Sequence, residues 1–209
     1  LPSLPIASQT IVRSGVTTTR WRGDSREPSA HRPTVRSSAM EKSTHSAVHD
    51  SRNDTVQVYI NGDFYPRAEA RISVFDSGFL VGDGVWEGIR LHEGQFGFLD
   101  RHLDRLFAGA AAIHLDIGMA RTEVVAALQA TIDRNAMQDD VHLRLMVTRG
   151  DKRTPSQHPA NTVGGPNIVI IAEHKAASPE VTESGISLFT ATVRRPAPDT
   201  LDQRLNCHS

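Results

Sequence analysis

The stretch Ser73-Val-Phe-Asp-Ser-Gly-Phe-Leu-Val-Gly-Asp-Gly-Val-Trp-Glu-Gly-Ile-Arg-Leu-His92 constrains this chain more than any other. Gly78, Gly82, Gly84 and Gly88 stand there among apolar and acidic residues, at positions that let the backbone turn sharply or approach a ligand closely. The spacing is neither G-x-G-x-x-G opening a helix nor G-x-x-x-x-G-K-[ST]. A dinucleotide fold and a P-loop therefore have no support.

The flanking periodicities predict an α+β domain. Val56, Val58 and Ile60 alternate with Gln57 and Tyr59 as in a half-buried strand, and Asn61-Gly62 is a strong hairpin signal before a return strand through Phe64 and Tyr65. Ile72, Val74 and Phe75 predict a further strand. Ile89–His92 and Phe96–Phe98 flank Glu93-Gly94 as a second hairpin. Leu103, Leu106, Phe107, Ala110 and Ile113 recur at helical spacing behind Asp100. A second helix is expected from Thr122 as N-cap through Val125, Leu128 and Ile132 to Asn135. His142–Thr148, Ile168–Ile171 and Gly185–Val193 read as strands, the second of them buried on both faces, and Gly150–Pro166 reads as a long functional or mobile loop. The fold expected is a largely antiparallel sheet with two helices packed together on one side, followed by the truncated start of a second domain.

Residues 1–55 differ in kind. They are rich in Arg, Ser and Thr, with no sustained apolar period, and a disordered leader is expected because such a segment buries too little surface to offset its ordering entropy. The chain begins with Leu1 and its first methionine is Met40, which suits a processed or translated leader; an organelle transit peptide is the alternative. The domain proper is expected over 56–175 and the beginning of the next over 176–209. A net charge of −1 argues against binding nucleic acid or a membrane surface through bulk charge. The single cysteine, Cys207, excludes an internal disulfide framework, and without CxxC pairs no structural zinc site is expected. Together these favour a cytoplasmic protein with a small-molecule site.

Several segments in order resemble the fold-type IV (class IV) pyridoxal-phosphate aminotransferases, the group of D-amino-acid and branched-chain aminotransferases and aminodeoxychorismate lyase. They are Val58-Tyr-Ile-Asn-Gly-Asp63, Phe75-Asp-Ser-Gly78, Gly82-Asp-Gly-Val-Trp-Glu-Gly-Ile-Arg90, Asp100-Arg-His-Leu-Asp-Arg-Leu106 and Val147-Thr-Arg-Gly150. The resemblance covers 56–209 and corresponds to the first half or so of a family member. It implies a D-amino-acid-aminotransferase-like N-terminal domain, pyridoxal 5'-phosphate as cofactor, an amino acid and a 2-oxo acid as substrates, and a homodimer.

The resemblance also implies roles for single residues. Arg105 is the arginine of His-x-x-Arg, which holds the cofactor phosphate in the family; a guanidinium suits that task because its planar fork donates two hydrogen bonds and stays charged. By pattern alone Arg105 reads as a solvated arginine. Arg144 falls near a substrate-side arginine of branched-chain members, and an ion pair with a nearby carboxylate is the plain alternative. D-amino-acid members use a loop arginine after Thr-Arg-Gly, for which Arg153 is the nearest candidate; Arg149 and Arg153 otherwise read as solvated. Arg144 and Arg149 lie an odd number of residues apart, so strand alternation sends them to opposite faces. Trp86 is either core or a wall of the substrate pocket. Leu80 and Val81 stand where some members carry a substrate-facing tyrosine, and apolar lining favours apolar side chains. His158 resembles a loop histidine of the D-amino-acid enzymes, and His208 has no matching role.

The family's cofactor-bearing lysine is the main departure. No lysine follows Lys175, and Lys152 and Lys175 lie in the wrong motifs. Either Asn206 replaces it or, as Arg204-Leu-Asn-Cys-His-Ser209 suggests by its resemblance to one subgroup, it follows Ser209. The expected function is transamination of the D-amino-acid or branched-chain type. The alternatives are an aminodeoxychorismate-lyase-like elimination and a non-catalytic remnant.

Overall fold

Alternation of apolar and polar residues builds the sheet that positions everything else. The computed structural model describes residues 49–176, two short strands near the N terminus, and parts of 179–208. The N-terminal strands, β1 (Thr10–Arg13) and β2 (Val16–Thr19), pair antiparallel within one unit, Leu1–Ser37. The rest of the disorder expected for the leader falls outside the described residues.

The second unit, Ser38–Ser209, carries the domain. Its strands are β3 (Gln57–Ile60), β4 (Asp63–Pro66), β5 (Gly84–His92), β6 (Gln95–Phe96), β7 (Val141–Thr148) and β10 (Asn167–His174). They form one sheet in the order β4-β3-β10-β7-β5-β6, and every neighbouring pair is antiparallel. Register aligns Val85, Glu87, Ile89 and Leu91 of β5 with Val147, Leu145, Leu143 and Val141 of β7. In turn Val147, Leu145 and Leu143 face Ile168, Ile170 and Ala172 of β10. These residues make one buried layer.

Two helices cover that layer. α2 (Leu99–Ala112) buries Leu103, Leu106 and Ala110 against β5, and α3 (Arg121–Arg134) buries Val124, Leu128 and Ile132 against β3 and β10. Both follow the i, i+3, i+4 spacing of an amphipathic helix. Truncating a fully buried leucine such as Leu103 or Leu128 costs about 2–5 kcal/mol by lost transfer energy and cavity formation. Arg121 ties the start of α3 to α2 through Asp100 and Asp104. Asn135, the expected helix end, is the C-cap of α3, and its side chain bonds both the N–H and the carbonyl of Gln57 in β3.

Several expectations are corrected. Ile72–Phe75 is not a strand: Ala70, Arg71 and Ile72 border the depression on the helix-free face of the sheet, and Ile72, Val74 and Phe75 are all exposed. Thr122 is not the N-cap of α3. Ala120 holds that position, offers no side-chain acceptor, and is secured by its N–H donating to Glu123 Oε2. The loop over 150–166 has its own structure, since β8 (Asp151–Lys152) pairs with β9 (Thr162–Val163) around a short 3-10 turn at Pro159–Asn161. β10 buries one face rather than both, because helices lie on one side only. Residues 49–55 belong to the domain, where the Asn53 side chain bonds both backbone groups of His174. The strand expected over 185–193 falls largely outside the described residues, and Thr192 and Val193 form a bend. A short helix, α4, spans Pro179–Ser184.

Candidate active site

The glycine-rich stretch folds as a turn locked to the Thr-Arg-Gly segment. Asp76 is fully buried and caps the five-residue helix α1 (Ser77–Val81), accepting from the N–H groups of Gly78 at 2.8 Å and Phe79 at 3.2 Å. Its other oxygen accepts from Thr148 Oγ1 at 2.5 Å and Asn167 Nδ2 at 2.8 Å. One buried carboxylate thus joins α1, β7 and β10. Helix α1 ends at Gly82 with φ +69°, a left-handed C-cap that favours glycine. The next residue, Asp83, receives two hydrogen bonds from Arg149, at 2.7 and 2.9 Å, and Arg149 also donates to the carbonyls of Ile113 and His114. Arg149 is therefore neither solvated nor free for a ligand. Its side chain is clamped.

On the helix-free face lie the alternate residues of the same strands. Trp86, Met146, Val169 and Ile60 stand in one cross-strand row, with Gly88, Arg144 and Ile171 in the next. The Arg144 guanidinium carbon sits 4.0 Å from the centre of the Trp86 ring, a cation–π contact. No carboxylate pairs with Arg144 among the described residues. Beside this pair is an open depression of about 340 Å³ lined mainly by apolar residues, among them Val58, Ile60, Met146, Val169 and Ile171 with Ile72 from the crossing segment, and also by Arg67, Arg71 and Glu173. The end of the chain borders the same strand. Trp86 N–H donates to Asn206 O at 2.9 Å, His208 N–H donates to Gly84 O at 3.0 Å, and the Trp86 indole N–H donates to Cys207 O at 3.3 Å. A Cβ at Gly84 would stand 2.5 Å from Val147 O and 2.7 Å from His208 Cδ2, so glycine is what lets this segment come so close. Burial pushes the His208 imidazole below its ordinary value, and its Nε2 is buried with no hydrogen-bond partner among the described residues.

Arg105 lies on the opposite, helix-bearing face. Its Nε and Nη2 donate to the two oxygens of Glu87 at 2.7 and 2.6 Å, and His102 Nδ1 lies 2.8 Å from Glu87 Oε2. The Glu87 side chain is fully buried, whereas that of Arg105 is half exposed. Hydrogen bonding to Glu87, the larger cause, holds the guanidinium pKa above its ordinary value. The structure thus brings Trp86 and Arg144 together and sets Arg105 apart from them across β5. Val81 is at the exposed end of α1. Arg153 is exposed beside β8, its backbone N–H bonded to Asn161 O, and His158 caps the 3-10 turn by accepting from Ala160 N–H.

Sequence reasoning missed Glu87, Asp76 and Asp83. For Glu87 the signal was available: alternation with Val85, Ile89 and Leu91 sends it inward, where an acid requires a cationic partner.

A family model for the class IV amino-transferases matches residues 84–207, the span that holds both clusters. The chain belongs to the class IV aminotransferase family. It is 40% identical over 154 residues to the branched-chain-amino-acid aminotransferase-like protein 1 of Arabidopsis thaliana, covering 74% of this chain and 28% of that protein. It is 31% identical over 136 residues to the D-alanine aminotransferase of Bacillus licheniformis, covering 65% and 47%. The crystal structure of the branched-chain aminotransferase from the thermophilic archaeon Thermoproteus uzoniensis with norvaline matches with a TM-score of 0.61 at 22% identity, over 73% of this chain and 51% of the other. That likeness establishes the class IV fold. The chain spans about half or less of the length of these relatives.

Proposed function

We propose that this class IV chain is part of a pyridoxal-phosphate-dependent aminotransferase that moves the amino group between an apolar amino acid and a 2-oxo acid. The observation that carries the reading is Arg144: a cation with no carboxylate partner among the described residues, stacked on Trp86 beside an apolar depression. A substrate carboxylate is the partner such an arginine suits, through two parallel hydrogen bonds. The depression then receives an aliphatic side chain, with the Trp86 ring beside it, next to the lining residue Met146.

The residues present fit the phosphate end of the cofactor. Arg105 is charged and half exposed, and the hydrogen bonds to Glu87 use its Nε and Nη2, leaving Nη1 directed elsewhere. When bound, pyridoxal phosphate supplies the electron sink that makes the substrate α-proton removable. The chain's own residues bind and orient: Arg105 the phosphate, Arg144 the carboxylate. The proton needs a carrier, work that suits an amine able to lose its charge. Arg153 and His158, both exposed, are assigned a loop role toward the substrate carboxylate only on the family resemblance. A homodimer in the cytoplasm completes the proposal.

Product analysis of the full-length protein tests it. With L-leucine, L-valine or D-alanine as donor, the amino group is expected to appear on an added 2-oxo acid and nothing to be released without that acceptor. Release of pyruvate from an aminodeoxychorismate-like substrate with no acceptor present would assign the protein to the lyases instead.

A further inference from the structure

We infer that Glu87 is a positioning residue for the cofactor phosphate, acting through Arg105; the inference rests on the proposed role of Arg105. Glu87 stands on a strand whose other inward residues, Val85, Ile89 and Leu91, are all apolar and buried. A hydrophobic side chain would fill that position without the desolvation cost of a carboxylate, so stability alone does not account for an acid there. Both carboxylate oxygens are used. Oε1 accepts from Arg105 Nε at 2.7 Å, and Oε2 accepts from Arg105 Nη2 at 2.6 Å while lying 2.8 Å from His102 Nδ1.

The consequence is geometric. His102 and Arg105 are three residues apart on α2 and so lie on one face of the helix, where a single carboxylate grips both. Two parallel bonds fix the plane of the guanidinium as well as its position. The Nε–Nη2 edge is turned inward and Nη1 is left for an outer ligand, with the side chain half exposed. Strand alternation adds a second constraint, because Trp86 and Glu87 are consecutive residues of β5 pointing to opposite faces. The ring that carries Arg144 and the anchor of the phosphate arginine are therefore held in fixed relation by one dipeptide. The backbone of Trp86 is also bonded to Asn206, in the segment that leads to Ser209.

A purely structural glutamate behaves differently. If Glu87 only neutralised Arg105, its removal would free the guanidinium and delete a negative charge near the phosphate, leaving phosphate preference unchanged or raised. The readout that separates the two is the ratio of dissociation constants for pyridoxal and pyridoxal phosphate, measured on the full-length protein by fluorescence titration. Pyridoxal lacks only the phosphate, so general damage to the site moves both constants and leaves the ratio alone. Glu87→Gln is expected to lower the ratio about tenfold, the scale of one charge-assisted hydrogen bond. Arg105→Gln should lower it at least as far, and adding Glu87→Gln to that variant should change it no further, because the two act as one unit. Glu87→Asp keeps the buried charge but withdraws it by one methylene; it should lower the ratio too, and it decides the matter if Glu87→Gln does not fold. Parental ratios in both Glu87 variants, with a lowered ratio in Arg105→Gln, would overturn the inference and leave Arg105 as the phosphate ligand. A parental ratio in Arg105→Gln would remove Arg105 from the phosphate, and the inference with it.

Discussion

Replacing Asp76 by alanine tests the claim that one buried carboxylate holds the glycine-rich turn to the sheet. The side chain is fully buried and accepts four hydrogen bonds: two from the first turn of α1, one from Thr148 and one from Asn167. Loss of the helix cap costs about 1 kcal/mol. The Thr148 hydroxyl and the Asn167 amide each lose an acceptor inside the domain, a penalty of about 1–3 kcal/mol per group. Both fall at the low end of that range. Thr148 Oγ1 still accepts from Gly150 N–H, and Asn167 Nδ2 still reaches Asp151. The carboxylate's own desolvation cost is recovered on removal, so the net loss for Asp76→Ala is about 2–3 kcal/mol. Asp76→Asn should cost less, about 1–2 kcal/mol, because its amide oxygen can still cap α1 while its amide N–H₂ opposes that of Asn167. The assay is urea denaturation of the full-length protein, followed by fluorescence and read as the shift of the transition that unfolds this domain. An alanine variant within about 0.5 kcal/mol of the parent would refute the reasoning, since an effect that small belongs to unconstrained surface positions.

Three further outcomes follow from the same geometry. Gly150→Ala should prevent or severely impair folding, measured as soluble yield and melting temperature, because φ is +99° and the new Cβ would stand 2.0 Å from Gly165 O. Arg144→Gln should raise KM for the amino acid about tenfold or more while leaving cofactor affinity and melting temperature near parental values, because no carboxylate pairs with Arg144 among the described residues and its loss strands no buried charge. Burial, the largest cause, pushes the His174 imidazole below its ordinary 6.5, so the folded state resists protonation more than the unfolded one. The sign follows: this contribution is fully present above about pH 6.5 and is lost as pH falls below it toward the depressed folded value. Thermal melts at pH 7.5 and 5.5 should show a smaller acid-induced drop for His174→Gln than for the parent.

Much of the fold could be read from the sequence because its periods are strong. Leu103, Leu106 and Ala110 announce α2, and the alternation through His142–Thr148 announces β7; in each, local pattern and tertiary burial agree. Ile72, Val74 and Phe75 form a short apolar run that also looks like a strand, yet the sheet already ends at β4, and the segment crosses a face instead of extending an edge. Periodicity records which residues seek cover, not which neighbour supplies it. The site divides in the same way. The strand-based pairing of Trp86 with Arg144 depends on cross-strand register, which no local pattern specifies. The clamps on Arg105 and Arg149 depend on Glu87 and Asp83, residues 18 and 66 positions away. Charge complementarity could have suggested the first once Glu87 was recognised as inward-facing. Nothing local would have paired the second.

The most direct test of the central proposal is the intact mass of the full-length protein after borohydride reduction in the presence of pyridoxal phosphate, with the modified peptide mapped. One cofactor fixed per chain is expected, on a lysine other than Lys152 or Lys175. No fixed cofactor, or one carried by Lys152 or Lys175, would contradict it.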